Sequence, residues 1–128
     1  MKLTVLGSSG SMSGPASSAS SYLVQAQGFD RETGQMRTWS VVLDMGPGSF
    51  GELWKQMDPR HVDALLISHG HADHMADIIS FYVFLKWHPE GHRAPLYTAG
   101  PAEVRARMAQ IDGYADEDEI VEMLDFHP

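Results

Sequence analysis

The sequence predicts a mixed α/β (α+β) fold, on three observations. Runs of strand-forming residues recur at 2–6, 20–26, 38–43, 62–67 and 96–99; helical stretches at 50–57, 75–87 and 102–111 are set between the later ones; and turn-rich segments separate them. With 128 residues and a hydrophobic fraction of 43%, one core is affordable, so 1–128 is expected to be a single domain.

Lys2–Leu6 alternates loosely and stops at Gly7, as a short strand does. Ser8–Ser21 is a Gly/Ser/Pro/Ala loop. A linker needs a domain on each side, and only one strand precedes it, so a site-lining loop is expected. Ser20–Ala26 and Thr38–Leu43 are rich in strand formers, and GFDRETGQMR between them carries turn residues and both charge signs, which predicts a hairpin with an exposed tip. Phe50–Met57 reads as a short helix, and Val62–Ile67 as an apolar strand. Met75, Ile78, Ile79, Tyr82 and Val83 fall at helical spacing while Phe81, Phe84 and Leu85 fill other faces. A helix so apolar should be buried, or should expose surface that another chain covers, which motivates the expectation of a homodimer. Leu96–Ala99 reads as a strand and Ala102–Ile111 as a helix opened by Pro101. Ile120–Phe126 fits either period.

Composition narrows the function. The chain has no cysteine, which excludes a disulfide framework and thiolate metal ligands and leaves His and carboxylate for any metal. Met1–Leu6 is too brief an apolar run for a signal peptide, and Ile78–Leu85 is too short to span a bilayer, so a cytoplasmic protein without a membrane partner is the default expectation. The net charge of −8 is local: Asp112 to Asp125 holds seven acids and no Lys or Arg, whereas residues 1–111 hold ten acids against nine bases. No basic stripe stands out, so nucleic acid is the less expected partner.

The most specific signal is His69, Gly70, His71, Ala72, Asp73 and His74, where the apolar strand turns toward a helix. Along extended backbone side chains repeat every two residues, so His69 and His71 project to one side and can grip one ion. Asp73 and His74 point differently and, as the helix begins, can face a second. Imidazole suits zinc, iron or manganese, while a carboxylate tolerates a harder ion and can carry a proton. The competing reading is a surface cluster or a helix cap, but H-x-H-x-D-H after a strand is far more specific than a lone His pair.

SHGHADHM (Ser68–Met75) resembles the signature of the metallo-β-lactamase superfamily. LGSSGSMSGP (Leu6–Pro15) and VVLDMGPG (Val41–Gly48) resemble its ribonuclease Z-like branch, and within it actinobacterial hydrolases of cyclic nucleotides. The resemblance implies two metals bound between the sheets of an αββα sandwich, of which this chain would be the N-terminal half. It further implies ligands from a second half, another His, a bridging Asp and a last His, that nothing after His74 here matches. His61, His88, His92 and His127 read as ordinary turn or surface residues.

Three other motifs compete. Gly46, Gly48 and Gly51 form a G-x-G-x-x-G, but Pro47 stiffens the turn and the nearest later acid, Asp63, begins a strand, so a chain reversal explains the glycines as well as a dinucleotide site does. Asp44 is either a helix or turn cap or, as the resemblance implies, an acid that supports the metal site by orienting an imidazole. GSSGSMSGP lacks the Lys of a phosphate-binding loop.

The reading is a two-metal hydrolase of a small-molecule phosphodiester, with two divalent ions, zinc foremost, about 3.5–4 Å apart. His69 and His71 would hold one ion; Asp73 and His74 would hold the other, with Asp73 also placed as the proton acceptor. The phosphodiester comes from the resemblance. A cyclic nucleotide is preferred over a tRNA precursor, the substrate of a ribonuclease Z-type endoribonuclease. The alternative from another class is that this chain alone is an inactive metal-binding half-domain or assembly module, because ligands from one half leave each ion under-coordinated.

Overall fold

Residue alternation along six paired strands organises the fold. The computed structural model describes residues 1–90, 94–113 and 123–128. Its elements are β1 (Lys2–Gly7), β2 (Ser21–Asp30), β3 (Gln35–Leu43), α1 (Ser49–Gln56), a 3-10 turn at Pro59–His61, β4 (Ala64–Leu66), α2 (Ala72–Met75), α3 (Ile78–Lys86), β5 (Leu96–Ala99), α4 (Glu103–Asp112) and β6 (Leu124–His127). The strands form one sheet in sequence order. β1, β2 and β3 pair antiparallel, and β3, β4, β5 and β6 run parallel.

Because side chains alternate across a strand, the register sorts them into two faces. Leu23, Val42, Leu65 and Thr98 align across β2 to β5 and are buried. Leu23, Val42 and Leu65 share a core with Leu53 of α1, Ile78, Phe81 and Leu85 of α3, and Val104 and Met108 of α4. The opposite rows are Leu3, Val24, Val41, Ala64 and Tyr97, and Val5, Tyr22, Leu43, Leu66 and Ala99. That face is apolar yet open: Leu3 is 61% exposed, Val5 54% and Tyr97 44%. One sheet covered by helices on one side and bare on the other is half of a sandwich.

The structure departs from the sequence expectation in three places. The hairpin strands reach Asp30 and Gln35, well into the expected tip. Arg37 holds them there: its Nε and Nη2 each donate at 2.8 Å, to Asp30 and Asp63, while its guanidinium lies 3.4 Å from the Trp39 ring centre. The expected helix at 75–87 is broken into α2 and α3 at Ala76 and Asp77. α3 buries Ile78, Phe81, Tyr82 and Leu85 but leaves Val83 exposed, so it is not apolar core all round. The ambiguous Ile120–Phe126 segment yields β6 in its described part. Among the described residues no helix is long and apolar enough to cross a membrane.

Two predictions follow from these features. The Asp30 carboxyl is held below its ordinary value, first by the hydrogen bond from Arg37 and then by the Glu32 backbone N–H. A depressed carboxyl stabilises the fold above its unfolded pKa of about 3.9 and loses that contribution as pH falls through the lower folded value. Denaturant titrations should therefore show a stability gap between wild type and Asp30→Asn at neutral pH that narrows below about pH 4. The 128-residue chain should also bind an apolar fluorescent dye in its native state. Val5→Lys with Leu66→Lys should reduce that binding while moving stability by only about 0.5 kcal/mol each, as surface changes do.

Candidate metal centre

Parallel pairing continues past the ends of β3, β4 and β5 and delivers the site. Asp44 N–H donates to Leu66 O at 2.9 Å and Ile67 N–H to Ala99 O at 2.8 Å, so the chains after β3 and β4 leave the sheet side by side. Asp44 is buried and has φ 57°, a left-handed conformation that Asp tolerates better than most residues. Ser21 Oγ pins it by donating to its carbonyl at 2.7 Å. The Asp44 carboxylate is thereby aimed at the histidine segment. Its Oδ1 accepts from Ser68 N–H at 2.7 Å, and its Oδ2 accepts from Ser68 Oγ at 2.7 Å and meets His74 Nδ1 at 2.8 Å. α1 has Gly48, not Asp44, as its N-cap.

Proton accounting fixes the imidazoles. A carboxylate only accepts, so His74 Nδ1 carries the hydrogen that bonds Asp44. The Ser68 hydroxyl hydrogen is likewise directed at Asp44, so the 2.9 Å contact between Ser68 Oγ and His69 Nδ1 is donated by the ring. In both neutral rings the lone pair is then on Nε2. His74 Nε2 lies 3.2 Å from Asp73 Oδ2, so two acceptors face each other, an arrangement satisfied by a proton or a cation between them. The His69 ring centre is 4.2 Å from that of His74 and 4.8 Å from that of His71. The four residues expected from the sequence are therefore neighbours, and Asp73 and His74 meet at their tips although they leave the backbone differently. Among the described residues, no three His, Asp or Glu side chains close around a single point as a finished metal site.

Small residues let the segment seat. A Cβ on Gly46 would lie 2.2 Å from Asp73 O and 2.6 Å from the Ala19 Cβ, so only glycine allows α2 and the Ser8–Ser21 loop to meet at this turn. Met45 N–H donates to His74 O at 2.7 Å, and Asp77 N–H to Met45 O at 3.0 Å. Gly46 thus serves a chain reversal and a close approach, and Gly48 caps α1 at φ 86°.

Sequence reasoning did not single out four residues that the fold adds. Ser68 links Asp44 to His69 and was visible inside the motif. Asp77 Oδ2 accepts from Phe50 N–H at 2.7 Å, tying α3 to the start of α1. Glu103 and Arg107 of α4 line a cleft of about 290 Å³ with His69, Gly70 and His71. Nothing local marks these three distant residues. Of the other histidines, His61 ends the 3-10 turn, His88 lies edge-on to Phe84 and His127 stacks on Tyr97. His92 lies outside the described residues.

Comparisons with known proteins agree with this geometry. Residues 32–122 match the family model described as the metallo-beta-lactamase superfamily. The chain is 36% identical over 129 residues to uncharacterized protein Rv1339 of Mycobacterium tuberculosis (strain ATCC 25618 / H37Rv), covering 99% of this chain and 44% of that protein. It is 38% identical over 108 residues to uncharacterized protein ML1173 of Mycobacterium leprae (strain TN), covering 84% of this chain and 34% of that one. The chain thus spans less than half the length of these relatives. Among solved structures, human tRNase Z, short form, superposes with a TM-score of 0.69 at 21% identity, over 99% of this chain and 43% of the other. A diphosphatase from the PhnP family superposes with a TM-score of 0.64 at 21% identity, over 98% and 49%. At that identity these likenesses speak to the fold alone. A six-stranded sheet with helices on one face, the HGHADH segment at the ends of its parallel strands and a family match over most of the length lead to one conclusion: the chain belongs to the metallo-β-lactamase superfamily, and its fold is an N-terminal portion of that family's fold.

Proposed function

We propose that this chain carries the histidine half of the active site of a metal-dependent hydrolase that cleaves a phosphodiester, a small cyclic nucleotide in preference to a tRNA precursor. The carrying observation is His74 Nε2 at 3.2 Å from Asp73 Oδ2 with the His69 ring centre 4.2 Å from that of His74, while the Nδ1 sides of the two imidazoles are taken up by Ser68 and Asp44. Such a set of bases suits a divalent cation. His69 and His71 are the ligands proposed for one ion, Asp73 and His74 for the other. Zinc fits the donors best, with manganese or iron as alternatives. Bound divalent ions supply Lewis acidity toward water and toward a phosphate oxygen. The chain's own residues do the rest. Asp44 fixes the tautomer and direction of His74, Ser68 does the same for His69, and Asp73 is the proposed proton acceptor.

Phosphodiester chemistry is supported by the resemblance in Leu6–Pro15 and Val41–Gly48 and by structural neighbours named as tRNase Z, RNase Z and a diphosphatase. The cyclic nucleotide is preferred on the resemblance of Leu6–Pro15 to actinobacterial hydrolases of cyclic nucleotides, with the lack of a basic stripe in these 128 residues as a further ground.

A second reading is favoured by the open sheet face and by the lack of a finished three-ligand group among the described residues. In it the 128-residue chain alone is an inactive metal-binding module, and a second copy laid on the open face would cover it.

Zinc content and hydrolysis of bis(4-nitrophenyl) phosphate and of cyclic AMP, measured on the 128-residue chain and on the full product of its gene, separate the readings. The full product should hold zinc and cleave a diester, and His69→Ala should lower the zinc content and abolish turnover. Turnover by a monomeric 128-residue chain would remove the second reading. Consumption of a lactone or thioester with no diester cleavage would overturn the substrate class. Asp44→Asn, which keeps the shape but loses the charge behind His74, should weaken zinc binding about 10- to 100-fold in a chelator competition. An unchanged affinity would show that Asp44 serves the turn alone.

A further inference from the structure

The cleft beside the histidines has a cation on its far wall. Burial of Val104 and Met108 fixes the rotation of α4, and Glu103 and Arg107, four residues apart, share the helix face turned to the histidine segment. Gly70 allows that approach: a Cβ there would lie 3.3 Å from Glu103 Cγ and 4.0 Å from Arg107 Cβ. Glu followed by Arg at this spacing ordinarily pairs along the helix. Here it does not. Among the described residues Arg107 forms no ion pair, and its Nη1 donates only to Gln110 Oε1 at 3.3 Å. Arg107 is exposed, and among the described residues its remaining guanidinium donors meet no protein acceptor, which leaves them open to solvent and to an anion entering the cleft.

An unpaired arginine beside a site that takes metal cations is repelled by them unless an anion lies between. A guanidinium offers a planar fork that matches two oxygens of a phosphate. Glu103 on the same wall limits the charge of that anion. A phosphodiester carries one negative charge, whereas a monoester gains a second above about pH 6 and meets the carboxylate less favourably.

Building on the hydrolase reading above, we propose that Arg107 binds the non-bridging oxygens of a singly charged phosphodiester, and that Glu103 discriminates against doubly charged monoesters. Arg107 is a substrate-positioning residue and Glu103 sets specificity.

The test uses the zinc-loaded full product of the gene, with zinc content, the KM and kcat for bis(4-nitrophenyl) phosphate, and inhibition by inorganic phosphate as readouts. Arg107→Gln should raise KM and the phosphate inhibition constant by about 10-fold or more, with kcat less affected and zinc unchanged, the loss expected for one charge-assisted contact. Arg107→Lys, which keeps the charge without the fork, should fall between. Glu103→Gln should tighten phosphate inhibition at pH 8 relative to the diester KM. Unchanged KM and phosphate inhibition in Arg107→Gln, or a parallel loss of zinc, overturns the assignment. If the wild type holds zinc but cleaves no diester, the hydrolase reading fails separately. Phosphate protection against thermal unfolding then decides for Arg107: present in wild type and absent in Arg107→Gln it supports the anion site, and equal in both it removes it.

Discussion

The Asp44 carboxylate is buried where β3 and β4 release their chains, and its three short contacts organise what surrounds it. A buried carboxylate costs several kcal/mol in lost hydration unless charge-assisted hydrogen bonds offset it. Two of those bonds come from Ser68 and the third from His74, so the Ser68–His74 segment is anchored at both ends by one side chain. Among the described residues no Lys or Arg pairs with it, and His74 meets it through a hydrogen bond. A second carboxylate, Asp73, stands on the far side of the same imidazole. Two negative groups around one neutral ring leave a deficit of positive charge, which is the electrostatic condition under which a site recruits a cation.

That anchor works because the backbone beneath it is specified independently. The left-handed turn at Asp44 is held by Ser21 Oγ and by Leu66 O, and the close seating of α2 needs the bare Cα of Gly46. The strain of the turn is therefore offset by contacts outside the site. Such over-determination is what allows an uncommon backbone conformation to persist where function uses it.

Local patterns made part of this legible. Strand runs and the HGHADH spacing depend on periods of two and on ligand chemistry, both carried by neighbouring residues. Asp44 stayed open between a cap and a support for the site, because a lone Asp before a Gly-rich turn fits either role until its partners are known. The break between α2 and α3 was hidden because Asp77 accepts from Phe50 N–H in the first turn of α1, across the fold. Charged residues near the tip of the hairpin look like loop, whereas Arg37 bridges Asp30 and Asp63 and supports the extended ladder. Glu103 and Arg107 were invisible for the same reason: only the packing of α4 brings them to Gly70.

The position of the site and the bareness of the sheet are linked through strand direction. β3, β4, β5 and β6 run parallel, so Asp44, the histidine segment and the start of α4 all leave from their carboxyl ends, where open parallel sheets gather ligands. The uncovered row of Leu43, Leu66 and Ala99 ends at the same edge. Whatever covers that face must therefore abut the histidines, and any donors it carries arrive together with the apolar surface it buries. A cover that brought ligands with it would couple burial of the sheet to cation binding, and each would then strengthen the other by linkage.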